Sequence, residues 1–321
     1  MLSGLLISLF AAVIPMFIHT AIFYWADRFE REPGWLLFVA FLWGAIPAIL
    51  ASVIAELVLG IPLSSSAETL QGQVVESSII APVVEEFCKG FALWVIFIWK
   101  RHEFDGVLDG LLYGALIGFG FAMTEDFFYY IGAFDSGGIG NLSLVIFLRA
   151  ILFGLNHGFY TGLTGIAFGI ARNMRNGMLR FIIPWIGLGL AILAHALHNF
   201  GVTVASVNPL GLILSVVMAL GSVGLLILVI ALAWQHERKS IKTQLAEEIG
   251  CTLSTEEYEH LTNHWRRPSR TQDPQKANRI QLLVKLALQK DRLQLRGYEQ
   301  EPELQQSIAD LRTNLQQAAN V

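Results

Sequence analysis

The sequence predicts an all-α polytopic membrane protein: a bundle of about seven transmembrane helices followed by a small cytosolic helical appendage. Three observations support this fold class. The 321 residues are 54% hydrophobic and 15% charged, with a mean hydropathy of +0.53, which is too apolar for an ordinary soluble protein. Seven stretches reach the length of about 20 residues that a helix needs to cross the hydrocarbon core. After Trp234 the composition changes to charged residues, Gln and Leu.

The predicted spans follow one another through short loops. In chain order they are Leu2–Trp25, Gly34–Leu59, Glu76–Trp99, Val107–Phe134, Leu142–Ala171, Phe181–Ala205 and Pro209–Trp234. The first span has no positively charged start and no small-residue cleavage pattern, so we interpret it as a retained helix rather than a signal peptide.

The loops between the spans alternate in positive charge. Lys and Arg occur in or beside the loops after spans one, three, five and seven, namely Arg28, Arg31, Lys100, Arg101, Arg172, Arg175, Arg180, Arg238 and Lys239. The intervening loops, residues 61–75, 135–141 and 206–208, contain neither residue. Because cytoplasmic loops are enriched in Lys and Arg, this pattern predicts an N-terminus outside and a C-terminus in the cytoplasm.

The change after Trp234 divides the chain into a transmembrane domain, residues 1–234, and a cytosolic helical region, residues 235–321. The sequence from Ser254 to Glu257 resembles a capping box, which opens a helix. Apolar residues recur near helical spacing in RIQLLVKLALQKDRLQL and ELQQSIADLRTNLQQ. We expect a packed helical appendage, with partner binding or self-association as the alternative.

The polar side chains of four predicted spans are candidate functional groups, because a charge at bilayer depth costs a few kcal/mol and is usually functional. They are Glu85, Glu86 and Lys89 in span three, Glu125 and Asp126 in span four, Asn156, His157 and Thr161 in span five, and His195, His198 and Asn199 in span six. At a rise of 1.5 Å per residue, Glu86, His157 and His195 lie roughly 20 Å from the cytosolic ends of their helices, and Glu125 lies roughly 27 Å away. The groups could therefore meet in one cluster.

Residue types and spacing predict the chemistry of such a cluster. Lys89 follows Glu85 by four residues and Glu86 by three, so it can reach either carboxylate. Two imidazoles and a carboxylate from three helices suit a zinc ion with one position open for water. Bound zinc makes hydroxide available near neutral pH, and the Glu pair would supply a general base, or also a ligand, with Lys89 as its electrostatic support. Glycines permit close approach of spans four and five: Gly110, Gly114, Gly118, Gly158, Gly162, Gly165 and Gly169.

Other function classes remain open at this point. Each polar group taken alone also fits a structural role, as an interhelical hydrogen bond or an ion pair. A multi-span transporter or ion channel could use the same Glu and His residues, although the sequence shows no internal repeat. A heme or quinone site on His157 and His195 would leave the Glu pair unexplained. The net charge of −4 gives no reason to expect a nucleic-acid partner.

Four short motifs occur in a fixed order along the chain. They are Glu85-Glu86-x-x-Lys89, Phe121-x-x-x-Glu125, His157 followed by Thr161, and His195-Ala-Leu-His-Asn199-Phe200. Together with the segment ADRFEREP after span one and DGLLYG in span four, this set resembles the PrsW family of intramembrane proteases, distant relatives of the CAAX prenyl proteases. The resemblance runs from about Ala26 to Phe200.

The resemblance implies a metallopeptidase in a bacterial plasma membrane that cuts bilayer-anchored proteins, such as an anti-sigma factor. A CAAX-type protease acting on lipidated peptides is the close alternative. By position, the resemblance implies that Glu85 and Glu86 are catalytic carboxylates. It implies zinc ligands at Glu125, His157 and His195. Asn199 is implied to be a polar support or an oxyanion donor. Family members often have Asn where this chain has Asp126, so a supporting role there is altered.

Overall fold

The computed structural model describes residues 2–60, 69–100, 103–263, 273–298 and 301–317, and these ranges are almost entirely helical. No β-strand occurs within them. The helices are α1 (Leu2–Ala26), α2 (Gly34–Trp43), α3 (Ile49–Gly60), α4 (Leu70–Val75), α5 (Ala81–Trp99), α6 (Val107–Ile146), α7 (Asn156–Arg172), α8 (Gly177–Val204), α9 (Leu210–Ala246), α10 (Thr255–Asn263), α11 (Pro274–Arg296) and α12 (Pro302–Gln317). π-Helical turns at Gly44–Ala48 and Glu76–Ile80 join α2 to α3 and α4 to α5, and a third, Phe147–Leu152, follows α6.

Helices that could cross a membrane make up most of the first 246 residues. Among the described residues, five are long and apolar enough: Leu2–Ala26, Gly34–Leu59, Val107–Arg172, Gly177–Val204 and Leu210–Ala246. Large apolar side chains cover their outer surfaces, and Ile54, Ile151 and Ile227 are each more than 60% exposed. Such a surface suits lipid rather than water. The prediction of an all-α membrane helix bundle is confirmed.

The number of crossings stays a prediction. The stretch Val107–Arg172 has 66 residues, so it would measure roughly 100 Å if it were one straight helix, more than three times the hydrocarbon core. The backbone leaves helical geometry at Gly137 and Gly138, and Gly138 has a φ of 62°, which glycine adopts without strain. Two of the predicted spans lie on either side of this kink.

The described helices form two compact units. The first contains Met1–Ala26, Glu32–Arg172 and Phe181–Leu228, and the second contains Asp27–Arg31, Asn173–Arg180 and Val229–Val321.

Glycines bring α6 and α7 into backbone contact within the first unit. A methyl group at Gly110 would clash with the carbonyl of Gly165, and one at Gly118 would clash with the carbonyl of His157. Because glycine has no side chain, the two helices can approach closely, as the glycines of spans four and five predict. The contact at Gly118 fixes the backbone of α7 at a residue of the polar cluster.

The second unit has its own apolar core between α9, α11 and α12, with Leu245, Leu286 and Leu315 fully buried. The predicted capping box is confirmed, because the Glu257 backbone N–H donates to Ser254 Oγ and the Ser254 N–H donates to the Glu257 carboxylate. The two segments with helical spacing lie in α11 and α12, as predicted.

A buried ion network adds to this core. Glu248 accepts hydrogen bonds from Lys290 at 2.7 Å and from Arg312 at 2.6 Å. Burial raises the pKa of Glu248, but the hydrogen bonds from Arg312 and Lys290 outweigh it and hold that pKa below its ordinary value. The stabilisation from this network is therefore present at neutral pH and is lost as the pH falls through the lowered pKa.

Candidate functional site

The side chains of Glu85, Glu86 and Lys89 lie on one face of α5. Lys89 Nζ donates to Glu85 Oε2 and to Glu86 Oε1, each at 2.9 Å, so the prediction that it reaches either carboxylate is confirmed. Lys89 and Glu86 are fully buried. The ammonium also lies 3.1 Å from His157 Nδ1 and 3.8 Å from the centre of the Phe121 ring. Three acceptors and an aromatic face thus surround a charge that the apolar bundle would otherwise disfavour.

α8 brings a second imidazole to the same carboxylates. His195 Nδ1 lies 3.1 Å from Glu86 Oε1, and His195 Nε2 lies 4.0 Å from Glu85 Oε2. The His195 ring stacks on Tyr160 with centroids 4.7 Å apart. Thr161 Oγ1 donates to Glu86 Oε2 at 3.0 Å, so both oxygens of Glu86 have partners. The Glu86 side chain is therefore held in one orientation.

A second group of charges holds the far side of His157. His157 Nε2 lies 2.9 Å from Glu125 Oε2, and Arg149 Nη2 donates to that oxygen at 2.6 Å. Arg149 Nε donates to Asp126 Oδ1 at 2.5 Å, and its guanidinium lies 4.0 Å from the centre of the Tyr129 ring. With Nε2 turned toward Glu125, His157 presents Nδ1 to Lys89 of α5.

The donor set fits a metal ion. Each of Glu85, Glu86, His157 and His195 has a ligand atom, and these atoms all lie within 4.8 Å of one another. Imidazole nitrogens and carboxylate oxygens are the ligands that zinc takes in catalytic sites. Glu125 stands outside this group and instead contacts the opposite nitrogen of His157. A carboxylate in that position commonly orients a metal-binding histidine and fixes its tautomer.

The remaining predicted residues surround this group. Asn199 Nδ2 donates to the carbonyl of Ser77 at 2.8 Å, in the π-helical turn that precedes α5. His198 faces Asn156 Nδ2 at 3.3 Å and packs edge-on against Phe153. The structure thus brings Glu85, Glu86, Lys89, His157 and His195 together, with Glu125 in contact through His157, and places Asn199 beside the start of α5.

The sequence patterns leave Arg149 unassigned, include Phe121 only in the Phe121-x-x-x-Glu125 motif, and do not point to Tyr160 as part of the site. Arg149 carries a signal, since it is a full charge within a predicted span and two acidic residues occur in the neighbouring span. Tyr160 carries no such signal, because aromatic residues are common in any membrane helix, and Phe121 is marked only by its place in the Phe121-x-x-x-Glu125 motif.

Comparison with known proteins identifies a family whose matched region contains this cluster. A family model described as "PrsW family intramembrane metalloprotease" matches residues 32–234, more than half of the chain and a range that contains every residue of the cluster. The chain belongs to the PrsW family. The resemblance inferred from the four motifs is therefore confirmed.

Curated relatives named "Protease PrsW" are similar to this PrsW-family chain over part of their length. The protein from Geobacillus kaustophilus is 30% identical over 155 residues, which is 47% of this chain and 64% of the relative. The protein from Oceanobacillus iheyensis is 27% identical over 197 residues, covering 59% of this chain and 80% of the relative. The Bacillus subtilis protein is 25% identical over 201 residues, covering 61% and 83%. The first match thus spans a little less than two thirds of its relative. No solved structure matches the chain significantly.

Proposed function

We propose that this chain is an intramembrane metallo-endopeptidase that cleaves membrane-anchored proteins or peptides. The observation that carries the proposal is the convergence of Glu85, Glu86, His157 and His195 from three helices, with ligand atoms within 4.8 Å of one another. The names of the family and of its curated relatives support peptide hydrolysis over a transporter or an ion channel. The alternative, a CAAX-type protease, would hydrolyse peptides by the same chemistry but would act on lipidated peptides.

His157 through Nδ1, His195 and one α5 glutamate would hold the metal, which we propose to be zinc. When bound, zinc would supply a Lewis acid and a water molecule of lowered pKa, which is the nucleophile of such hydrolases. The Lys89 ammonium offsets part of the negative charge of the two carboxylates in a medium that disfavours isolated ions. Glu125, held by Arg149, would keep His157 turned toward the cluster.

The two glutamates have different surroundings, and we propose different roles for them. Both oxygens of Glu86 are fixed by Lys89, His195 and Thr161, which supports a ligand or a rigid structural role. The Glu85 side chain keeps 8% of its surface exposed and contacts Lys89 through Oε2. A carboxylate at the edge of the buried group is better placed to take a proton from the nucleophile and return it to the leaving amine, so Glu85 is proposed as the general base.

Asn199 is proposed to act as a polar support. Its amide donates to the Ser77 carbonyl, in a π-helical turn that leaves backbone groups without their usual helical partners. This contact supports a role in positioning the start of α5, and with it the glutamate pair. The alternative role as an oxyanion donor would use the second N–H of the same amide.

The membrane arrangement and the substrate are also proposed here. The alternation of Lys and Arg among the loops supports an N-terminus outside and a C-terminus in the cytoplasm of a bacterial plasma membrane. A membrane-anchored protein such as an anti-sigma factor is the proposed class of substrate, since the cluster lies within apolar helices. We propose that residues 1–234 form the protease domain and that 235–321 form a cytosolic helical region.

Comparison of membrane-protein fragments between cells that carry the wild type and cells that carry Glu86→Ala tests the function. Fragments cut in or beside a transmembrane segment should be present with the wild type and absent with the variant. Glu76→Ala is the matched control, because Glu76 is an exposed carboxylate that precedes α5 and lies outside the cluster. If Glu86→Ala and His195→Ala both yield the wild-type fragments at the wild-type rate, the protease proposal fails.

A further inference from the structure

A cavity of about 640 Å³ lies within the second compact unit. Its walls come from the C-terminal part of α9, from Arg28 and Phe29 after α1, and from α10 and α11. A cavity of this volume is in the range of sites that hold a small organic molecule. It lies outside the cluster of glutamates and histidines.

Four cationic side chains line this cavity: Arg28, Arg238, Lys239 and Lys242. Lys239 and Lys242 are three residues apart on α9 and Arg238 and Lys242 are four apart, so the helix presents all three toward one side. Among the described residues that line it, none is Asp or Glu. The lining therefore carries a concentrated positive charge that favours an anionic ligand.

The rest of the lining is apolar and aromatic. Phe29, Trp234 and Leu261 contribute to it, and the Arg28 guanidinium stacks 3.4 Å from the centre of the Trp234 ring. A simple anion such as phosphate would leave this apolar wall without a partner. The combination calls for a ligand with an anionic head and an apolar body.

The sequence of α9 places the cavity at the edge of the bilayer. The helix is apolar from Leu210 to Trp234, and its cations follow within the next eight residues. An aromatic residue followed by Lys and Arg is the composition found at the level of lipid headgroups, where basic side chains attract anionic lipids. An anionic lipid is thus available at the height of the cavity.

We propose that this cavity, the α9 basic cavity, binds an anionic phospholipid from the leaflet next to the second unit. The cations of α9 and Arg28 would contact the headgroup phosphate, while Phe29, Trp234 and Leu261 would pack against the glycerol and the first acyl carbons. The site would tie the position of the second unit to the lipid composition of the membrane.

Native mass spectrometry of the full chain in detergent, titrated with phosphatidylglycerol, tests the site. We expect one saturable phosphatidylglycerol site and no comparable binding of phosphatidylcholine. The double variant Lys239→Gln/Lys242→Gln should weaken that binding by roughly 10- to 30-fold, on the basis of the attraction of each basic residue for anionic lipid. Both lysines are exposed, so folding is preserved.

The control is Lys276→Gln/Lys285→Gln, which removes the same charge from exposed lysines of α11 outside the cavity. This variant should bind phosphatidylglycerol like the wild type. Equal losses in the two double variants would show attraction to net charge alone and overturn the proposal. Equal binding of phosphatidylcholine would show a merely apolar cleft, and complete competition by inorganic phosphate at equal concentration would show a free phosphate site. Either result would also overturn it.

Discussion

The Lys89 ammonium contacts three of the groups that would bind a metal, and this contact explains why a lysine accompanies two glutamates inside an apolar bundle. Without a cation, Glu85 and Glu86 would be two buried like charges side by side. Lys89 supplies the cation through its contacts with both carboxylates and with His157 Nδ1. A metal ion would bind the same donors, so Lys89 and the metal would compete for them.

This competition predicts that Lys89→Met makes the stability of the protein depend on zinc. In the presence of a chelator, the variant should lose roughly 3–5 kcal/mol of stability, because two buried carboxylates lose the ammonium that contacts them both. Added zinc should restore much of the loss and should stabilise the variant more than it stabilises the wild type. Thermal unfolding in detergent, with and without the chelator, measures both effects. Lys285→Met, at an exposed position, is the control, and a Lys89→Met melting temperature equal to that of the wild type under chelation would contradict the prediction.

Glu125 allows a test between two roles. The resemblance implies a ligand at Glu125, while the structure places its carboxylate against His157 Nε2 and Arg149. If Glu125 orients His157, Glu125→Ala should lower zinc affinity by about 10- to 100-fold, the usual effect of removing such a partner. His157→Ala should abolish zinc binding, because it removes a donor. Zinc titration of the two purified variants distinguishes the roles: equal and complete losses would show that Glu125 is itself a ligand.

The close packing of α6 and α7 positions the site. Gly118 of α6 lies against the His157 carbonyl at the start of α7, so any side chain there must push the helices apart. Gly118→Ala should therefore cost about 1–3 kcal/mol of stability, the usual range for overpacking, and should lower zinc affinity by moving His157. Thermal unfolding and zinc titration measure the two consequences.

Gly132→Ala is the matched control for this prediction. Gly132 lies in the same helix, and a methyl group there would meet nothing within 4 Å. Because alanine is the better helix former, this change should be neutral or slightly stabilising. If Gly118→Ala behaves like Gly132→Ala, the packing of α6 on α7 does not position His157.

The elements were largely predictable because they follow from local pattern. The capping box at Ser254 and the helical spacing of α11 and α12 involve residues within one or two turns of each other, and the same is true of Lys89 with its glutamates. The contacts of Glu125 were not predictable in this way. Arg149 lies 24 residues further along and reaches Glu125 from a π-helical turn beyond the kink at Gly137 and Gly138. The spacing of residues along the sequence does not predict either the π-helical turn or the kink.

The composition of the chain predicts the helix bundle but not the number of membrane crossings. Burial in lipid requires apolar residues along most of a span, and this holds for five described stretches. α5 carries three charged side chains, so hydropathy alone leaves its crossing open. The stretch Val107–Arg172 is apolar along its length, so hydropathy alone does not show where one crossing would end and the next begin. Its backbone bends at Gly137 and Gly138.

Orientation can be tested with the cysteines the chain already contains. Cys251 is exposed in the second unit, and Cys88 is half-buried in α5. A membrane-impermeant maleimide should label Cys251 in inverted vesicles and leave it unlabelled in sealed right-side-out vesicles, because the positive loops predict a cytoplasmic C-terminus. Gel shift or mass spectrometry of the labelled protein measures the outcome.

Cys251→Ser is the control for this experiment, since any label that remains must lie on Cys88. Cys88 follows the glutamate pair by two residues in α5, so its label would report access of water to the cluster rather than the position of the C-terminus. Labelling of Cys251 in right-side-out vesicles would reverse the proposed topology. It would also place the α9 basic cavity in the outer leaflet, because the cavity and Cys251 belong to the same compact unit.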